Sequence, residues 1–358
     1  MGQLISGPVT FKDTKMWQNS QFMVAASSMQ GWRVRMEDAY ACFLNLPSSL
    51  NDPASPNSSQ SNSTAYIAVF DGHGGTKISE YAASNLHTKI MSQPAYAQGD
   101  LVEAMRSGVL KLDAEMQAKF SGYSSPQPTQ KCSFAIPSDS LELPDLEGSK
   151  PLSSVDVGGS TCIALLLRGN LVYCANCGDS RAVLSRQGLA EALSVDHKPT
   201  MVSEWSRIVA AGGWVAANRV NGNLALSRAL GDFVYKRNTS LAAEEQIVSA
   251  EPEVTQCELR LAETDEFIVI GCDGIWDVMT NQEVISYVRS RLANGKSPDN
   301  ICEELMMHCL APNCNPNGLG CDNMTVVIVC FLNGGTLEDL KERCSKQCPA
   351  GDAIDVIS

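Results

Sequence analysis

Ala65-Tyr-Ile-Ala-Val-Phe70-Asp71-Gly-His73-Gly-Gly75 decides how this chain is read, because the apolar run Tyr66 to Phe70 stops on a carboxylate followed by glycine. The same grammar returns where Phe267 to Cys272 ends in Asp273-Gly274. It appears again at Asp322, which sits just before the apolar run Met324 to Phe331. A fourth acidic pair, Glu37-Asp38, follows Gly31-Trp-Arg-Val-Arg-Met36. Oxygen ligands at the ends of buried strands are what a hard divalent cation requires. Several such ends brought together can hold two cations close enough to hydrolyse a phosphate ester.

Asp-Gly is also a common turn dipeptide, and either one alone reads better as a turn. Two of them after apolar strands, with Glu37-Asp38 and Asp322-Asn323 flanking others, favour metal binding. All-oxygen ligands suit a binuclear Mg²⁺ or Mn²⁺ site. Zinc is disfavoured, since His and Cys are not expected to cluster with these acids. His73 lies two residues from Asp71, where an imidazole can donate a proton to a leaving alkoxide. Arg33 and Glu37 share strand parity and face one site if residues 31–38 are extended. A guanidinium there can hold phosphate oxygens in pairs. Arg35 has the same parity, so parity alone leaves that assignment open. His87, His197 and His308 read as structural.

The 358 residues can bury a substantial core, and 44% hydrophobic with 19% charged residues fits a soluble globular protein. A net charge of −13 argues against nucleic acid as a partner. No apolar leader is visible and no run reaches the roughly 20 residues that span a bilayer. A cytoplasmic protein with reduced thiols is therefore expected. Cys174-Ala-Asn-Cys177 has redox or zinc spacing, but three apart on a strand means opposite faces, so two core thiols are expected. Met1-Gly2-Gln-Leu-Ile-Ser6 fits the pattern for N-myristoylation of Gly2. One acyl chain supports only reversible membrane contact. Lys12 and Lys15 add little charge, and the first ten residues contain no cysteine to accept a second chain.

Residues 1–21 read as an N-terminal segment, 22–331 as one catalytic domain, and 332–358 as a tail with a short helix over Leu337 to Arg343. Polar insertions are expected at about 47–64 and 121–155. Strands are predicted at Phe22–Ser27, Tyr40–Leu44, Ala65–Phe70, Thr161–Leu167, Leu171–Cys177, Ala182–Ser185, Glu266–Cys272 and Met324–Phe331. Helical spacing runs from Ile78 to Ile90 and from Leu101 to Met116. A capping box at Thr280 and Glu283 starts a third helix, and Ser297-Pro298 a fourth. Strands in consecutive groups favour a sheet-rich α+β domain with helices packed outside.

Other hydrolytic devices are absent: there is no Gly-x-Ser-x-Gly, His-Glu-x-x-His or Walker pattern. The Cys-x5-Arg spacing occurs only at Cys162 and Arg168, along the predicted strand Thr161–Leu167 and not in an open nucleophile loop. What is present, in order, is Gly31-Trp-Arg-Val-Arg-Met-Glu-Asp38, Val69-Phe-Asp-Gly-His-Gly-Gly75, Gly159-Ser-Thr161 and Asn176-Cys-Gly-Asp-Ser-Arg181. Then come Asp196-His-Lys-Pro199, Leu226-Ser-Arg-Ala-Leu-Gly-Asp232, Cys272-Asp-Gly-Ile-Trp-Asp-Val278 and Asp322-Asn-Met-Thr325. With these motifs the chain resembles the metal-dependent Ser/Thr protein phosphatases of the PPM family (type 2C) over about Phe22 to Phe331.

The resemblance implies a central β-sandwich of two antiparallel sheets flanked by α-helices, four layers in αββα order, with metals in a cleft at one end. It implies direct hydrolysis of phosphoserine and phosphothreonine in proteins by a metal-bridging water. Two ions, Mg²⁺ or Mn²⁺, are expected, with a weaker third. By resemblance Asp71 bridges the ions and Gly72 lends its carbonyl. Asp273 and Asp322 match ligands of one ion, Glu37 matches a ligand of the other, and Asp38 an outer, water-bridging acid. Asp156 resembles a ligand of the third ion. Arg33 matches the phosphate-binding arginine and His73 the general acid. Residues Met201 to Asn218 correspond to a flap beside the cleft. Arg35 is basic where many relatives carry an acid. Phosphoprotein substrates and a monomer are expected. The rival reading is a pseudophosphatase that binds partners without catalysis, and intact ligand positions count against it.

Overall fold

The strand β4 (Thr64–Phe70) that precedes Asp71 is buried along its whole length because both of its faces are covered. In this computed structural model, residues 4–47, 64–120, 158–261, 264–313 and 318–347 are described. Gly2, Asp156, the 121–155 insertion and nearly all of the 47–64 insertion lie outside that set.

β4 belongs to a five-stranded antiparallel sheet in the order β14-β8-β7-β4-β3. Its other members are β3 (Ala39–Leu46), β7 (Cys162–Arg168), β8 (Leu171–Cys177) and β14 (Glu253–Glu258). A second, six-stranded antiparallel sheet runs β1-β2-β16-β15-β9-β10. It comprises β1 (Leu4–Gln18), β2 (Phe22–Arg33), β9 (Arg181–Arg186), β10 (Leu189–Ala192), β15 (Asp265–Gly271) and β16 (Met324–Phe331).

Alternation along each strand builds the layers. Ala65, Ile67 and Val69 of β4 meet Val24, Ala182, Ile268, Ile270, Val327 and Val329 between the sheets. Tyr66, Ala68 and Phe70 point the other way, against α1 (Lys77–Met91), α2 (Pro94–Gln98) and α3 (Leu101–Phe120). The outer face of the six-stranded sheet packs under α6 (Asn281–Ala293), α7 (Pro298–Cys309) and α8 (Leu337–Ser345) through Val183, Phe267, Val269, Val326 and Ile328. The four layers are therefore helix, sheet, sheet, helix, as expected. Each large aliphatic side chain so buried contributes roughly 1.5–3 kcal/mol.

Cys174 lies between the sheets and Cys177 under the helices, so the pair is two core thiols on opposite faces. Cys321 departs from the reduced-thiol expectation, since it is disulfide-bonded. The expected capping box forms, with Thr280 accepting from the Glu283 amide at 3.3 Å. No helix among the described residues is long and apolar enough to cross a membrane.

The sheet begins at Leu4, not at Phe22. β1 pairs with β2 over its length, with Leu4 opposite Arg33 and Gln18 opposite Met23. It is an edge strand, and most of its residues face solvent, which leaves little apolar alternation to read. Two small sheets lie outside the sandwich among the described residues: a hairpin of β11 (Val215–Ala216) and β12 (Arg219–Val220), and the mini-sheet β13-β6-β5. That mini-sheet joins β5 (Gly72–His73), β6 (Gly159–Ser160) and β13 (Leu230–Gly231).

Candidate active site

Four chain segments leave the sandwich at one end, and each delivers a carboxylate. Asp71 follows β4, and its amide is held by Thr161 Oγ1 at 3.1 Å while its carbonyl accepts from the Thr161 amide at 2.9 Å. Asp273 follows β15 and opens the short helix α5 (Asp273–Trp276). Asp322 precedes β16, and Glu37-Asp38 follow β2. Carboxylate oxygens of Asp71 and Asp273 and the sulfur of Cys272 all lie within 4.8 Å of one another. Cys272 thus corrects the expectation that no cysteine clusters with these acids; in the sequence it reads only as the end of an apolar run.

The segment 31–38 is not extended throughout. β2 ends at Arg33 and the chain bends at Val34 and Arg35 before reaching Glu37. The parity argument from the sequence therefore does not hold, and the bend leaves Arg35 exposed. Arg33 still reaches the cluster, where it forms an ion pair with Asp322. Asn323 fixes the bend. Its Nδ2 donates to the carbonyls of Gln30 and Arg35, at 2.8 and 2.9 Å, and its Oδ1 accepts from the Glu37 amide at 2.9 Å. Sequence reasoning noted Asn323 only as a flanking residue.

Gly72 sits where no side chain fits, since a Cβ would overlap the Glu37 carbonyl oxygen. Ser79 of α1 donates to that same carbonyl at 2.6 Å. Thus the backbones of 37 and 72 touch, and Glu37 is drawn beside Asp71.

The carboxylates stand against one another with little solvent. Burial first, then the charges of Asp273, Asp38 and Asp322, pushes Asp71 well above the usual carboxylate range. Asp273 is raised in the same way, by burial and then by Asp179 and Asp322. Burial pushes Asp38 up to about 7, against a 2.7 Å hydrogen bond from Thr325. Burial also raises Asp322, with Arg33 opposing it. The other oxygen of Asp38, Oδ1, is buried and has no hydrogen-bond partner among the described residues. Partly buried carboxylates crowded together with one buried, unsatisfied oxygen fit a hard divalent cation, which supplies the missing charge and ligands. Two further groups border the cluster that sequence reasoning did not assign. Asp179 is buried and pairs with Lys198 at 2.5 Å. Asp232 lies 2.8 Å from His73 Nε2.

For His73, burial pushes the imidazole down, but the charge and hydrogen bond of Asp232 outweigh it, with smaller help from Asp179 and Glu37. The net direction is up. The other three histidines, expected to be structural, contact aromatic rings or backbone. His87 stacks on Phe43 with ring centroids 4.1 Å apart, and His308 tilts over Tyr287 at 5.1 Å. His197 is buried and bonded to Gly178, its Nδ1 accepting from that amide at 3.3 Å. The segment 201–218, expected as a flap, forms α4 (Val202–Ala210) and the first strand of the β11–β12 hairpin.

Comparison with known proteins gives a consistent picture. A family model described as Protein phosphatase 2C matches residues 22–318. A probable protein phosphatase 2C from Caenorhabditis elegans is 46% identical over 346 residues, covering 97% of this chain and 85% of that protein. Protein phosphatase 2C homolog 2 from Schizosaccharomyces pombe is 40% identical, covering 98% of this chain and 84% of its own length. Among solved structures, a serine-threonine phosphatase 2C from Toxoplasma gondii superposes with a TM-score of 0.65 at 19% identity, over 90% of this chain and 99% of that one. At that identity the likeness concerns the fold.

Proposed function

This chain belongs to the protein phosphatase 2C family and is a metal-dependent protein serine/threonine phosphatase, and on that premise we propose which of its residues carry the reaction. The observation that supports the assignment is the convergence of Asp71, Asp273, Asp38 and Asp322, all partly buried and all raised in pKa, at one end of the sandwich. Asp71 stands centrally and would contact two cations, Mg²⁺ or Mn²⁺. Asp273 and Asp322 would complete one site, Glu37 and the Gly72 carbonyl the other, and Asp38 would act through water. Asp156 would serve a weaker third ion. When bound, such ions neutralise charge and acidify a water enough to attack phosphorus at neutral pH.

Arg33 stands at the rim, where its guanidinium can meet the equatorial oxygens of a phosphoryl group. Water adds to phosphorus and loses a proton, the bond from phosphorus to the Ser or Thr oxygen breaks, and His73 protonates that oxygen. The products are inorganic phosphate and the free hydroxyl. No observation favours the inactive-scaffold alternative.

The test replaces one oxygen in each of the two nearest carboxylates. Asp71→Asn and Asp273→Asn should each lose phosphopeptide hydrolysis at every Mn²⁺ concentration while keeping the melting temperature. Wild-type turnover by either purified variant would overturn the assignment. Acylation of Gly2 belongs to the same proposal, with a monomer in the cytoplasm that touches membranes reversibly. Its support is the Met-Gly-x-x-x-Ser pattern, and an unmodified N-terminal peptide by mass spectrometry would remove it.

A further inference from the structure

His73 and Asp232 are 159 residues apart in sequence, yet they meet across a single glycine. In the mini-sheet, His73 of β5 and Gly231 of β13 both pair with Gly159 of β6. The two side chains close over that strand. A Cβ on Gly159 would overlap Asp232 Oδ2 and lie 2.7 Å from His73 Nε2. Only glycine lets the carboxylate and the imidazole lie flush on the backbone here.

Asp232 is held from both sides. Its amide donates to the Gly158 carbonyl at 3.2 Å, and the Gly231 amide donates to Asp113 Oδ1 at 2.8 Å. Asp113, buried on α3, accepts from Lys236 through its other oxygen at 2.8 Å, and Lys236 also donates to the Ala229 carbonyl at 2.8 Å. The strap from 229 to 236 is thereby pinned to α3. Asp232 itself has φ +49°, a left-handed conformation that Asp and Asn tolerate better than most residues. It opens the 3-10 turn Phe233–Tyr235, but its side chain makes no capping hydrogen bond there. With 9% of its side chain exposed, the carboxylate is spent on the imidazole and not on the turn.

We propose that Asp232 is a positioning residue for the reaction: by holding His73 Nε2 it fixes the ring plane and leaves Nδ1 as the nitrogen that faces the departing oxygen. The inference rests on the reading of His73 as proton donor. A carboxylate behind an imidazole fixes both tautomer and orientation, and loss of such a partner typically costs tenfold or more in activity. The bland alternative is an ion pair that only staples β13 to β5.

Leaving-group dependence separates the two. The experiment measures kcat on a phosphoserine peptide, whose alkoxide must be protonated, and on 4-nitrophenyl phosphate, whose leaving group needs no proton. The variants are Asp232→Asn, which keeps an acceptor and suits the left-handed backbone, Asp232→Gly, which removes the side chain without backbone strain, His73→Ala, and His73→Ala with Asp232→Gly. We expect Asp232→Gly to lower kcat on the peptide by about tenfold or more and on the aryl phosphate by less than about threefold. Asp232→Asn should fall between it and wild type. Half-saturating Mn²⁺ should not move, and Asp232→Gly should add no further loss to His73→Ala. Equal slowing of both substrates, additive losses in the double variant, or a raised Mn²⁺ requirement would each overturn the proposal. If Asp232→Gly does not fold, Asp232→Asn paired with His73→Ala gives the same comparison. Failure of the underlying reading looks different, because His73→Ala itself would then slow both substrates alike.

Discussion

Gly72 shows how little freedom the site leaves to a single residue. Its α-carbon packs on the Glu37 carbonyl, which Ser79 also engages, so any side chain would push Glu37 away from Asp71. Gly72→Ala should therefore cost about 1–3 kcal/mol in stability by overpacking and should weaken Mn²⁺ activation together with it. Urea unfolding and a Mn²⁺ activation curve on the same preparation would check this, and a variant as stable as wild type would contradict it. At this scale the sequence exposed the acids and His73 because each sits beside an apolar run. It could not expose Asp232, Asn323 or Asp179, whose meaning depends on contacts made across 100 residues or more of chain or across a bend in it. Parity failed for Arg33 and Glu37 for the same reason, since the bend at Val34 and Arg35 is held by Asn323 from the far end of the chain.

Among the elements, β4, β15 and β16 were legible to within a residue because sheet and helices cover both faces and force a continuous apolar run. β1 and β14 were not, because edge strands with half-exposed faces carry polar residues at most positions. α4 is built differently from the core helices. Its inward residue Glu204 is 1% exposed and accepts from both Arg207 and Arg228 at 2.8 Å. Burial alone would raise this carboxyl, but the two guanidiniums outweigh it and hold it at about 2. A depressed pKa contributes stability above the ordinary glutamate value of 4.5, and that contribution is lost as pH falls from there toward 2. Glu204→Gln leaves two cations without their counter-charge and should cost about 3–5 kcal/mol at pH 7, with a smaller difference from wild type near pH 3. Chemical denaturation at the two pH values would measure it. Since Arg228 lies four residues before Asp232, the same variant should lower kcat on phosphopeptides.

For the molecule as a whole, the acidic end of the sandwich opposes folding until cations arrive. A carboxyl whose pKa is raised in the fold keeps a proton that the unfolded chain has released. Stability of the metal-free protein therefore falls as pH rises from 3.8 to about 7, the range over which Asp38 retains its proton in the fold and loses it in the unfolded chain. Melting curves in chelator and in excess Mn²⁺ should diverge by a few degrees at pH 8 and converge toward pH 5, where protons compete for the same oxygens. A Mn²⁺ shift independent of pH would contradict this account. The strand β1 starts with Leu4 opposite Arg33, at the end of β2 that leads to Glu37-Asp38, and runs away from it toward Gln18. The described start of β1 therefore lies beside the strand end that carries Arg33. A label meant to leave turnover untouched belongs at the opposite end of β1, in the turn between Gln18 and Phe22.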